Sequence, residues 1–394
     1  ARRCGRPLAA RGRARGMADR EVCCFPWLRP ARALERRATR KGEAPHAPRS
    51  ALLFADEEAL PPMEPITAFT LNDSMFRASI DVQGWRPERF ILLRKLQDAC
   101  RNHGRVDVMW DTVQAGDLVA VKRMPNWWIG PGPEEFWQRH PREPEQPWCD
   151  LGMLRELGRR QYPYACRLRG VFADVRHSYV VTDLAEGGDL HAWSARLSPS
   201  AAVRESEVMP VAARLCTAVW HLHELGVAHR DVSLENVVVA GDGAVKLIDF
   251  GMAAIGRIQG STWQGTAAGK RSYCAPEVRA RGLFDAFLAD TFSVGVILYC
   301  LTLGEYPWAD TRPGTSTSLE RAKKAGMAAH LADVRARGEG ALPLVTRELE
   351  QLLGGVLEPE PTARTCLGES CFRQEGRRSA RESPWLVRAA DRAA

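Results

Sequence analysis

The feature that most constrains the fold of this chain is a change of hydrophobic period partway along it. In the first part, apolar residues alternate in short runs. FILLRKL from Phe90, RVDVMWDTV (Arg105 to Val113) and DLVAVKRM (Asp117 to Met124) read as strands, the last two joined as a hairpin by QAGD, Gln114 to Asp117. Cys149 to Arg160 has helical spacing, with Leu151, Leu154 and Leu157 on one side. CRLRGVFADV and SYVVTDL then return to strand alternation, and GGDLHAW opens a helical stretch. Ser206 to Gly226 is a long amphipathic helix, Ala244 to Phe250 a short strand, and the pattern past Asp290 is mostly helical. The longest apolar run, FSVGVILYCL (Phe292 to Leu301), is too short to span a bilayer and reads as a buried core helix. Strands first and helices second predict an α+β chain with two lobes and a ligand cleft between them.

Between the third strand and the first helix, Pro125 to Trp148 holds six Pro and four Trp. Trp is costly to leave in water, so this insert is expected to be ordered. The net charge of +7 is uneven: residues 1–50 carry 13 Arg and one Lys against four acids, a net of +10, which leaves −3 for the rest. A basic body would suggest nucleic acid, whereas a basic tail is a weaker hint, so a nucleic-acid or membrane binder acting through the tail is a lesser alternative. Residues 1–84 read as a disordered basic extension, with the Arg-rich, acid-poor composition also found in transit peptides. Eleven Cys without a CxxC pair argue against a disulfide framework or zinc site and for a reducing compartment, so a cytoplasmic location is expected, with the nucleus as a second possibility.

Four short motifs occur in order: VAVK ending at Lys122, HRDVSLEN from His229 to Asn236, DFG from Asp249 to Gly251, and APE from Ala275 to Glu277. Singly, each has a dull explanation, such as a buried strand ending in a surface lysine. As an ordered set they resemble the eukaryotic protein kinase superfamily, serine/threonine type. The resemblance covers roughly Arg86 to Leu386, so the domain is expected over 85–386, followed by a tail at 387–394. DTFSVG from Asp290, Arg364 as partner of Glu277, and SPWL from Ser383 extend it.

The resemblance implies a bilobal kinase fold and ATP with Mg²⁺. Lys122 would hold the α- and β-phosphates, Asn236 and Asp249 would offer oxygens to Mg²⁺, and Asp231 would orient the substrate hydroxyl. It further implies Gly104, Val106 and Ala120 around the nucleotide, Thr182 as gatekeeper, Asp183 to Ala185 as the adenine-reading hinge, and Asp189 at the ribose. VSLE between HRD and Asn236 is unlike the AAR or RAA of tyrosine kinases. Glu235 and Asp189 match positions that bind arginine in some members, which points to a protein substrate with basic residues near the target. Arg230 points to an upstream kinase acting on Ser261, Thr262 or Thr266.

Three departures stand out. The Gly-rich loop reads ACRNHG, Ala99 to Gly104, retaining only Gly104. The helical acid that should pair with Lys122 is Asp150, one methylene short; an alternative reading makes it a helix cap. Ser233 stands where lysine is usual, and Lys270 where its threonine partner is usual. Because these side chains touch in the family fold, the two changes read as an exchange that keeps one ammonium and one hydroxyl in the same volume. An active kinase is the expected function, with a pseudokinase scaffold as the alternative.

Overall fold

The computed structural model describes residues 80–113, 117–256, 263–264, 269–280, 282–337 and 345–391. Ser261, Thr262, Thr266 and most of the QAGD turn lie outside the described residues, as do residues 1–79.

The first lobe is a six-stranded sheet in the order β1-β5-β6-β4-β3-β2, with β1 Val82–Gly84, β2 Phe90–Ala99, β3 Gly104–Asp111, β4 Asp117–Pro125, β5 Leu168–Ala173 and β6 His177–Asp183. All pairings are antiparallel except β1 with β5. Alternation along the strands sends Phe90, Met109, Val119, Val121, Phe172, Tyr179 and Val181 to one buried face. Trp85 closes that cluster, stacked 3.8 Å from Tyr179 and 4.8 Å from Phe90. The boundary expected after residue 84 is therefore too late, because β1 is a paired strand of the sheet.

The Trp-rich insert forms two short helices, α1 Asn126–Ile129 and α2 Pro133–Arg139, before α3 Pro147–Arg159. Trp128 and Phe136 are buried and meet edge to face, while Trp148 Nε1 donates to the Ile129 carbonyl at 2.9 Å.

The second lobe is helical, built on α4 Ala201–Glu224, α5 Ala286–Leu303, α6 Thr317–Arg337, α7 Arg347–Val356 and α8 Pro384–Asp391. Helix α5 is apolar all round and long enough to cross a membrane, yet 94 % of it is buried inside the protein, packed on α4. Asp285 caps its start by accepting from the Phe287 and Leu288 amides.

Arg364 is fully buried and donates to both carboxylate oxygens of Glu277, at 2.5 and 3.0 Å, with Phe292 under its guanidinium at 5.0 Å. Glu277→Ala would strand that charge. Unfolding in denaturant is expected to show a loss of about 3–5 kcal/mol, and a loss below about 1 kcal/mol would contradict the pairing.

The stretch from Cys366 to Glu382, long for its place before SPWL, is an integrated part of the lobe. Cys366 bridges to Ser379, Phe372 is buried, and Arg377 Nη1 donates to the carbonyls of Pro361, Thr362 and Arg364. Its Glu369 meets Nδ1 of buried His223 at 2.6 Å, and Asp290 meets Nε2 at 3.1 Å. Burial lowers the His223 pKa, but the two carboxylates more than offset this and push it up to about 9. A histidine raised above its ordinary 6.5 adds stability that is fully present below pH 6.5 and lost as pH rises through about 9. Unfolding free energy is expected to fall across that window, by on the order of 3 kcal/mol at most. His223→Gln should remove the slope; a flat wild-type profile would contradict the charged triad. Helix α8 runs past the expected end at residue 386, with Ala389 fully buried, so the tail expected at 387–394 is in large part domain.

Candidate active site

Strand register builds the inner wall of the cleft between the lobes. Ala120 sits opposite Thr182, and Val106 opposite Lys122. The cleft is open to solvent at its mouth. Val106, Ala120 and Thr182 line its walls, Asp183 and Ala185 lie where β6 exits, Asp189 is at the mouth, and Lys122, Asp150 and Asp249 are at the inner end.

Lys122 Nζ lies 3.2 Å from Asp150 Oδ2, 3.3 Å from Asp249 Oδ1 and 3.9 Å from Glu145 Oε1. Burial lowers its pKa, but the three carboxylates hold it above the ordinary lysine range. The shorter Asp150 reaches because α3 sits close. Its other oxygen accepts from the Phe250 amide at 2.9 Å, and the cap position of α3 is Gln146, so Asp150 serves the ion pair rather than a cap. Gly251 is pressed against the insert: a Cβ there would meet Glu145 Cγ at 2.8 Å, and its carbonyl accepts from the Gln146 amide.

Two turns beside the cleft carry backbone strain. Arg230 and Asp249 have φ of 63° and 64°, a left-handed conformation uncommon outside glycine. Asp290 of α5 holds the first turn by accepting from the His229 and Arg230 amides at 2.6 and 2.8 Å. His229 Nε2 meets the Ile248 carbonyl at 3.1 Å, and its ring lies 5.0 Å from Phe250, tying both turns together.

Asp231 is 5 % exposed. Its Oδ2 accepts from Asn236 Nδ2 at 2.9 Å and Arg101 Nη1 at 3.2 Å, while its buried Oδ1 has no partner among the described residues. Burial raises the Asp231 pKa, against the opposing pull of Lys270 and Arg101. Lys270 Nζ is 2.7 Å from Ser233 Oγ and 2.8 Å from Glu235 Oε2, so the two exchanged positions are in direct contact. Asn236 spends its Nδ2 on Asp231, which leaves its carbonyl oxygen as the donor available to a hard cation. Asp249, 28 % exposed, keeps a carboxylate edge toward the cleft.

Some expectations are corrected. Gly104 does not line the cleft; a Cβ there would lie 1.9 Å from the Arg123 carbonyl oxygen, so its bareness serves the approach of β4. Asp189 reaches the mouth but uses Oδ1 to cap the next helix through the Ala192 amide at 2.7 Å. Glu235 is paired with Lys270, whose charge more than offsets burial and lowers the Glu235 pKa. The two acids that pointed to a basic substrate motif are thus already engaged. Sequence reading missed Arg101, Asn102 and Glu145. All three come from the degenerate loop or the insert, and only Arg101 carried a signal, as a cation at the tip expected over the phosphates.

A strand-rich lobe over a helical lobe, with an ion-paired lysine and an Asp–Asn–Asp set facing a cleft, defines the protein kinase class. The family described as Protein kinase domain matches residues 113–374, and the chain belongs to it, with relatives of the serine/threonine type. It is similar to CBL-interacting protein kinase 4 of Oryza sativa subsp. japonica, 35 % identical over 226 residues, covering 55 % of this chain and 45 % of that protein. It is also similar to CBL-interacting serine/threonine-protein kinase 7 of Arabidopsis thaliana, 29 % identical over 215 residues, covering 55 % and 46 %. The chain thus spans a little under half the length of the curated relatives it matches.

Proposed function

We propose that this chain is a working kinase that transfers the γ-phosphate of ATP to serine or threonine hydroxyls of proteins. The observation that carries the reading is the buried Oδ1 of Asp231, which has no partner among the described residues, with the other oxygen fixed by Asn236. A buried acceptor without a partner is costly, and a substrate hydroxyl would satisfy it. In this reading Asp231 orients that hydroxyl for in-line attack and Lys122, held by Asp150, grips the phosphates. Thr182 and the Asp183–Ala185 backbone seat the adenine, between Val106 and Ala120. Asn236 and Asp249 present one amide and one carboxylate oxygen, a hard-oxygen set that suits Mg²⁺. When bound, Mg²⁺ neutralises phosphate charge. Lys270 supplies a further cation beside the transferring group from the segment that precedes Ala275–Glu277 rather than from position 233, with Ser233 as its hydroxyl partner.

The eight described cysteines are free thiols, which supports a reducing compartment such as the cytoplasm. The relatives are named for interaction with CBL, which makes CBL a partner to test for the whole protein. The alternative is a scaffold that binds nucleotide without transfer, favoured by the Arg101–Asp231 pair and the missing glycines. The test is incubation with Mg-ATP and an unbiased serine/threonine peptide library, read by mass spectrometry. Phosphoserine or phosphothreonine that requires both Mg²⁺ and ATP is the expected result. Bound nucleotide with unmodified peptides would support the scaffold instead.

A further inference from the structure

We propose that Arg101 is a side-chain ligand for the γ-phosphate, doing with a guanidinium what the absent loop glycines would do with backbone amides. The inference rests on the kinase reading and assigns one more residue to the same site. The β2–β3 tip, Cys100–Asn102 and His103, is not a free flap. Asn102 is buried, donates to Glu145 Oε1 and accepts from Trp128 Nε1, and the His103 ring lies 5.0 Å from Trp127 and 4.7 Å from Trp128. The insert thus pins the tip over the cleft, where a glycine loop would be mobile. From this fixed base Arg101 reaches inward, 3.2 Å from Asp231 Oδ2 and 3.6 Å from Glu145 Oε2, with its side chain still 36 % exposed.

The charge arrangement explains why an arginine is useful there. Asp231, Asp249 and Glu145 converge on the transfer point, where Lys122 is shared by Asp150, Asp249 and Glu145, and Lys270 is offset in part by Glu235. A γ-phosphate entering this ring of acids gains from a third cation beside Lys122 and Lys270. Arg101 Nη1 is shared by carboxylates from two separate segments, and a planar guanidinium can turn from a carboxylate to a phosphate. Transfer of its bond from Asp231 Oδ2 to the phosphate leaves Asp231 held by Asn236.

The experiment is calorimetric titration of the full chain with Mg–AMP-PNP and, separately, Mg-ADP, for wild type, Arg101→Ala and Arg101→Lys. Arg101→Ala is expected to weaken AMP-PNP binding by about tenfold or more while leaving ADP within about twofold, with Arg101→Lys in between. Equal loss for both nucleotides, no loss, or tighter AMP-PNP binding in Arg101→Ala would overturn the inference; the last would make Arg101 a plug. A wild type that shows the γ-phosphate preference but transfers nothing would keep this inference and remove the active-kinase reading. A wild type that binds neither nucleotide would remove both.

Discussion

Lys270→Thr is expected to slow phosphate transfer at saturating Mg-ATP by about 10²–10³-fold, the scale seen when one charge-stabilising group is removed from a transition state. The loss follows from position. Lys270 touches Ser233 two residues after Asp231, and it is the foremost charge acting against the burial-raised pKa of Asp231. In the proposed reading its ammonium therefore stands beside the hydroxyl-orienting Asp231 and the group in flight. Ser233→Lys alone is expected to harm turnover too, because it crowds a second ammonium against the first in a buried site. The double variant Ser233→Lys with Lys270→Thr restores one cation and one hydroxyl to the same contact. It should recover most of the wild-type rate, giving a large favourable coupling in the double-mutant cycle. Rates read in single turnover, with ATP occupancy checked separately, decide the matter. A Lys270→Thr enzyme within about twofold of wild type would show that Lys270 does no more than neutralise Glu235.

Asp231→Asn is expected to lower transfer by about 10²–10⁴-fold, the range for loss of a positioned acid–base group, while Mg-ATP dissociation changes by no more than about threefold. Asparagine keeps the volume of aspartate and can still accept from Asn236, so the loop should hold its shape. What it loses is the carboxylate oxygen left without a partner in the wild type. The split between lost transfer and kept binding is the readout, by calorimetry and single-turnover kinetics on one preparation. Parallel loss of both would assign Asp231 to loop structure.

The elements that set the fold were legible because their periods are strong. Strands β2 to β6 are marked by short runs of apolar and β-branched residues, and α5 is a largely apolar stretch that a core accepts. The Lys122–Asp150 pair and the Ser233–Lys270 contact could be read because each departs from a motif at a countable position. The insert was legible as ordered but not in its role. Nothing in PREPEQPW says that Glu145 will face Lys122, since that depends on how Trp128 and Asn102 lock across sequence distance. The buried triad of His223, Asp290 and Glu369 was hidden for the same reason: its members come from three segments far apart in the chain. The engagements of Glu235 and Asp189 were not legible, because exposed acids and acids paired by a distant lysine or a helix amide look alike in sequence.

The central claim is that the altered loop and the exchanged Ser233 and Lys270 leave a machine that runs. The most direct test is single-turnover transfer from γ-labelled Mg-ATP to a serine/threonine peptide by the full chain, beside Asp231→Asn at matched ATP occupancy. The account predicts transfer by wild type and none above background in the variant. Nucleotide bound equally by both, with no transfer in either, would contradict it.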